Sequence, residues 1–167
     1  MDGILFNEQQ RFKQWWLWLI LLAINATLLF GLYKQLFTQE QFGANPMDDS
    51  TLLIVSAFTF AISILFFCFR LDTRIDEEGV YVRFFPFHLS FKHYSWANIS
   101  NAAVRQYNPI REYGGWGLRF GLFGKAYNVS GDYGLQLIFP DRQKLLIGTG
   151  KPEKLKKALE NISPLKR

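Results

Sequence analysis

Between residues 111 and 128 the chain gathers the side chains best suited to binding chemistry. Arg111, Arg119 and Lys125 carry cationic groups that pair with phosphate or carboxylate, and Tyr113, Trp116 and Tyr127 carry rings that stack on a ligand or wedge into an interface. These six are the candidate ligand- or partner-binding residues. Glycines interleave them, but the spacing is not that of a phosphate loop. A Walker-type loop needs Gly-x4-Gly-Lys followed by Ser or Thr. Here Gly124-Lys125 is followed by Ala126, and Arg119 stands where the first glycine belongs. A dinucleotide fingerprint starting at Gly115-Trp116-Gly117 fails as well, with Phe120 in the third glycine position. The glycines are read as the makings of a tight, bulged loop.

Other chemistry finds little support. Cys68 is the single cysteine, which excludes disulfide frameworks and multi-cysteine metal sites. His88 and His93 are five positions apart with no cysteine or acidic partner at ligand spacing, and Glu77-Glu78 reads as a solvated turn. No catalytic residue, metal or cofactor is assigned. Residues 1–70 carry a net charge of −1 and residues 71–167 a net +6, so the excess basicity belongs to the C-terminal part. Lys154, Lys156 and Lys157 are the candidates for contact with an anionic lipid surface. The cations are too scattered for nucleic-acid binding to be expected.

Two apolar spans precede these groups. Trp15–Tyr33 and Thr51–Phe69 contain no charged residue, and about 19 residues at ~1.5 Å each cover the ~30 Å hydrocarbon thickness of a bilayer. Trp15, Trp16 and Trp18 open the first span and Tyr33 closes it, as interfacial aromatics do. The 14 preceding residues and the length of the span favour an anchor over a cleaved signal. Arg11, Lys13, Arg70 and Arg74 flank the outer ends. The connection 34–50 holds Lys34 against Glu40, Asp48 and Asp49, so both termini are expected in the cytoplasm. Asn25, Ser56, Thr59 and Ser63 are the expected helix–helix packing residues, the last three falling on one helical face. No ionisable residue lies within either span, which argues against a transport or proton-relay role.

From Leu71 the hydrophobic period changes to two. Val80, Val82 and Phe84 alternate with Tyr81 and Arg83, and Leu89 and Phe91 are expected inward in a further strand. Trp96 and Ile99 are expected core plugs beside a short turn. Gly131–Gly134 reads as a hairpin turn, and Leu135–Phe139 with Lys144–Gly148 gives the clearest hairpin. Pro152 suits the first position of a closing helix, whose Leu155, Ala158, Leu159 and Ile162 form an apolar stripe.

The order of short strand, Asp76-Glu77-Glu78-Gly79-Val80 turn, Trp96-x-x-Ile99 turn, closing hairpin and terminal helix resembles the bacterial PH-like domains. The segment Pro109–Gly117 with Lys125-Ala126-Tyr127-Asn128 is similar to a version found behind two transmembrane helices in small bacterial membrane proteins. The fold class expected is thus an α+β membrane protein. It comprises an N-terminal segment (1–14), a two-helix transmembrane hairpin (15–70) and a cytoplasmic PH-like domain (71–167). That domain is expected to be a β-barrel or orthogonal sandwich of about seven antiparallel strands with a C-terminal helix. The two spans imply an integral membrane protein, expected in the bacterial inner membrane, and the domain is expected to be a non-enzymatic binding module that meets a membrane or cytoplasmic protein partner, or anionic lipid headgroups. An enzyme acting through the Arg111–Asn128 loop and an assembly subunit of a larger membrane complex are the alternatives.

Overall fold

The uninterrupted apolar runs fold as helices. In the computed structural model, which describes residues 3–121 and 123–162, α1 runs Trp15–Tyr33 and α2 runs Asp49–Cys68. Both are long and apolar enough to cross a membrane. A single π-type turn, Lys34–Thr38, extends the first. The second starts two residues before the sequence pattern does because Asp48 caps it. Its carboxylate accepts the backbone N–H of Thr51 at 3.0 Å and the Thr51 hydroxyl at 2.6 Å. Large apolar side chains, among them Leu22, Leu29, Ile54 and Phe58, point outward, whereas Gly31, Leu52 and Ser56 are buried. The Phe42 ring from the connection lies on Gly31, where a Cβ would come within 2.6 Å of it.

The second unit joins the N-terminal residues up to Phe12 to everything from Phe69 onward. It contains two sheets. In the first, β1 (Phe6–Arg11), β2 (Arg70–Ile75), β3 (Gly79–Phe85) and β4 (Lys92–Ser95) lie antiparallel in chain order. In the second, β5 (Asn101–Gln106), β6 (Gly117–Gly121), β7 (Gly124–Asn128), β8 (Tyr133–Ile138) and β9 (Lys144–Gly148) take the order β5-β8-β9-β7-β6. A one-and-a-half-turn helix, α3 (Pro109–Tyr113), follows β5, and α4 (Pro152–Ile162) closes the chain. Val80, Val82 and Phe84 are buried, as their alternation predicts. Leu71 and Ile75 of β2, Leu135 and Leu137 of β8, Leu145 and Ile147 of β9, and Leu155, Ala158 and Ile162 of α4 are buried too. Trp96 and Ile99 are buried beside the 3-10 turn Trp96–Asn98.

Several expectations are corrected. The sheets do not close into a barrel, and the described residues form nine strands rather than about seven. The pairing is not wholly antiparallel either: β7 runs parallel to β9, with Ala126 opposite Leu146. Because β9 lies between β7 and β8, the Gly131–Gly134 segment is a crossover and not a hairpin turn. Leu89 is exposed at 77% instead of inward, because the fourth strand begins only at Lys92. Phe91 sits beneath two guanidinium groups, those of Arg74 at 4.9 Å and Arg83 at 4.6 Å.

The largest departure is β1. The segment read as a separate N-terminal piece pairs with β2 from Phe6 opposite Ile75 to Arg11 opposite Arg70. Its inward positions hold Phe6, Glu8 and Gln10. The Glu8 carboxylate, buried, accepts the Thr149 hydroxyl at 2.6 Å and the Gly150 N–H at 3.0 Å, just ahead of α4. The Gln10 amide donates to the Gly148 carbonyl at 2.7 Å. The positive end of the helix dipole and two hydrogen-bond donors thus offset a carboxylate that water does not reach.

Candidate functional site

The six candidate residues of the 111–128 segment are not all brought together. Tyr113 and Tyr127 are core side chains on opposite faces of the second sheet. Tyr113 clusters with Tyr107, Ala126 and Leu146, whereas Tyr127 meets the His88 ring edge-on at 5.4 Å. Burial, reinforced by the neighbouring Tyr94 phenol, pushes the Tyr127 hydroxyl pKa far above its ordinary value. Burial and the Lys92 charge push the His88 imidazole down. Arg111 lies exposed on α3, a helix held by Asn108, whose side chain accepts the N–H groups of Ile110 and Arg111 at 3.1 and 2.9 Å. Gly114 ends that helix in the left-handed region.

Trp116 is half-buried and serves the loop. Its indole N–H donates to the Gly131 carbonyl at 3.1 Å, while its own carbonyl accepts Arg119 Nε at 3.0 Å. Beneath it, Asn128 accepts the Gly117 N–H at 2.8 Å and donates to the Tyr107 hydroxyl at 3.0 Å. Burial pushes the pKa of that hydroxyl up to about 12, although the Asn128 bond works in the other direction. Arg105 grips Glu112 through both terminal nitrogens, at 3.2 and 2.6 Å, and that hydrogen bonding holds the Glu112 carboxyl below its usual range. The glycine-tryptophan loop is therefore hydrogen-bonded onto the sheet face.

The free chemistry lies beyond it, at the tip of the β6–β7 hairpin. Phe120 stands opposite Lys125, and both are exposed. Together with Phe123, Arg142 and Lys144 they line a groove of about 650 Å³. Phe120 is 67% exposed and Phe123 49%, and the Lys125 ammonium lies 5.9 Å from the Phe120 ring. The parallel β7–β9 pairing brings the 140s turn to the 120s hairpin. Gly124 permits the approach, with φ at +101° and a position where any Cβ would strike the Lys144 carbonyl oxygen. Among the described residues, no carboxylate lines the groove. The nearest along the chain, Asp141, accepts the Gln143 N–H at 3.0 Å. Sequence reading found Lys125 and the adjacent Arg119 but missed Phe120, Phe123, Arg142 and Lys144. The signal available was a pair of phenylalanines beside glycines at a hairpin tip.

No family model, curated protein or solved structure matches the chain. Its function must therefore be argued from its own residues.

The remaining candidates occupy two helical surfaces. Lys154, Lys156 and Lys157 are exposed on α4, but they share that surface with Glu153 and Glu160, and Lys156 is ion-paired to Glu153 at 3.0 Å. Between α1 and α2, Asn25 donates to the Ser63 hydroxyl at 2.8 Å and to its own helix at the Leu21 carbonyl at 2.7 Å. Ser56, Thr59 and Ser63 each donate to the carbonyl four residues back, at 2.7, 2.8 and 3.0 Å.

Proposed function

We propose that this chain is a membrane-anchored, non-enzymatic binding module, with a PH-like β-domain held by a two-helix hairpin against the inner face of a bacterial membrane. The observation that carries this reading is the pairing of β1 with β2. The chain leaves the β-unit after one strand and returns in its neighbour, Arg11 opposite Arg70, with two long apolar helices between. A two-span insertion accounts for that arrangement, because both ends of the hairpin must then lie on one side of the bilayer. The charges support the same orientation. The flanks carry Arg11, Lys13, Arg70 and Arg74, while the only lysine of the connection is tied to Glu40 at 2.8 Å.

The test is labelling of the full chain in cells, in a Cys68→Ser background. Gln41→Cys, in the connection, should react with a membrane-impermeant maleimide from outside, and Glu160→Cys, on α4, only after the cells are opened. The reverse pattern overturns the orientation, and release of the chain by alkaline carbonate overturns the anchoring. Photocrosslinking in native membranes should then recover one stoichiometric protein or lipid adduct on the β-unit. A clean chain with no adduct argues against a binding module.

A further inference from the structure

We infer that the β6–β7 hairpin tip is a second membrane contact, inserting Phe120 and Phe123 into the headgroup region of an anionic leaflet while Lys125, Arg142 and Lys144 pair with lipid phosphates. This rests on the anchored reading above and names the ligand of its surface. The groove brings together the two halves of an interfacial contact: protruding phenyl rings and a surround of cations with no carboxylate among the described lining residues. A soluble domain gains nothing from rings 67% and 49% exposed at a loop tip, whereas a bilayer surface buries them. A free phosphate would leave the rings in water, and an apolar protein face would leave the cations without partners.

The place of the tip within the β-unit supports the same occupant. A seam of rings leads from the residues at which the chain departs and returns toward β7. Phe12 meets Phe69 at 5.8 Å, Phe69 meets Phe87 at 5.6 Å, and Phe87 meets Phe84 at 6.0 Å. His88, whose Nδ1 accepts the Phe84 N–H at 3.4 Å, then packs on Tyr127, two residues from Lys125. Phe87 on this seam is itself 56% exposed, and Leu89, next in the chain to His88, is 77% exposed. Exposed apolar residues thus lie close in sequence to the points where the chain departs and returns, and β7, which the seam reaches at Tyr127, carries Lys125. The α4 lysines differ: they share their surface with Glu153 and Glu160, and Lys156 is ion-paired to Glu153.

Site-directed spin labelling of the full chain, reconstituted in vesicles, tests this. In a Cys68→Ser background, nitroxides are placed at Phe123→Cys, at Phe120→Cys as an independent site, at Glu160→Cys as a surface control and at Leu22→Cys on α1. Accessibility to oxygen and to a nickel chelate is read in phosphatidylcholine alone and with phosphatidylglycerol added. Labels 120 and 123 should become oxygen-accessible and nickel-protected when the anionic lipid is present, while label 160 stays aqueous. Each of Lys125→Glu, Arg142→Glu and Lys144→Glu should lower the inserted population by at least about fivefold. Labels 120 and 123 that stay aqueous in anionic vesicles overturn the inference, as does insertion that ignores lipid charge. Protection from both reagents in native membranes but not in vesicles also overturns it, in favour of a protein cover. If label 22 is aqueous as well, the anchored reading itself has failed; if label 22 is in lipid and 123 is not, only this inference has.

Discussion

The helical hairpin and the β-unit solve opposite problems with the same residue types. In the β-unit the large aliphatic side chains lie inside, so that Leu71, Leu135, Leu137 and Leu146 are fully buried. In the hairpin many face out: Leu22 and Leu29 are 71% and 60% exposed, and Leu52 is buried with the small residues Gly31 and Ser56. Water drives the first arrangement through hydrophobic burial, and it would oppose the second. Leucine is therefore a folding residue in one region and, on the anchored reading, a solvation residue in the other.

The comparison breaks most visibly under one substitution made twice. Leu137→Ala, at the centre of β8, is expected to destabilise the β-unit by about 3 kcal/mol through lost burial and the cavity left behind. Leu22→Ala, at a 71% exposed position of α1, is expected to change the stability of either unit by less than about 0.5 kcal/mol. Amide hydrogen exchange across the full chain in bilayer discs separates the two. Equal losses of protection in both variants would mean that the hairpin is buried in protein after all.

The ease with which each region was read from sequence follows the same division. The hairpin helices and α4 announce themselves because a single physical pattern, continuous or periodic apolarity, specifies each. The β8–β9 hairpin is legible for the same reason. Strand β1 is not: in Phe6-Asn7-Glu8-Gln9-Gln10-Arg11 only one residue is apolar, and hydrogen bonds with distant residues, accepted by Glu8 and donated by Gln10, explain why these two are inside. Helix α3 was missed because five residues are too short for periodicity, although Asn108, Pro109 and Gly114 spell a cap, a first position and a stop. The basic-aromatic groove depends on the parallel β7–β9 register, a contact between segments about twenty residues apart that no local pattern encodes. Hence Lys125 could be singled out from sequence, but Arg142 and Lys144 could not be joined to it.

Glu8 tests where polar burial substitutes for hydrophobic burial within the β-unit. Glu8→Ala is expected to cost about 2 kcal/mol, because the buried Thr149 hydroxyl and the Gly150 N–H each lose their acceptor. Glu8→Gln should recover part of this, since one amide oxygen can still accept. The effect should be local first: faster exchange at Gly150 and Lys151 and along β1, before β8 and β9 are affected. Unchanged exchange in Glu8→Ala would show that β1 is held by its pairing with β2 alone.

The smallest effect is expected inside the hairpin, and its smallness is the point. Asn25 makes the described polar bond between α1 and α2, 2.8 Å to Ser63, but it also bonds the Leu21 carbonyl of its own helix. Losing Ser63 therefore leaves Asn25 with a partner, and losing Asn25 leaves Ser63 still donating to Thr59 at 3.0 Å. A double-mutant cycle with Asn25→Leu and Ser63→Ala should give a coupling of only about 0.6 kcal/mol, in the range usual for hydrogen bonds between membrane helices. Titration of the full chain with a denaturing detergent reads it through the fluorescence of Trp18, whose ring lies 6.2 Å from that of Phe67 on the other helix. A coupling of several kcal/mol would make Asn25 a buried polar keystone like Glu8 and erase the contrast between the two regions. Strict additivity would instead assign the helix pairing to packing alone, where Ser56 of α2 lies with Leu28 and Leu32 of α1.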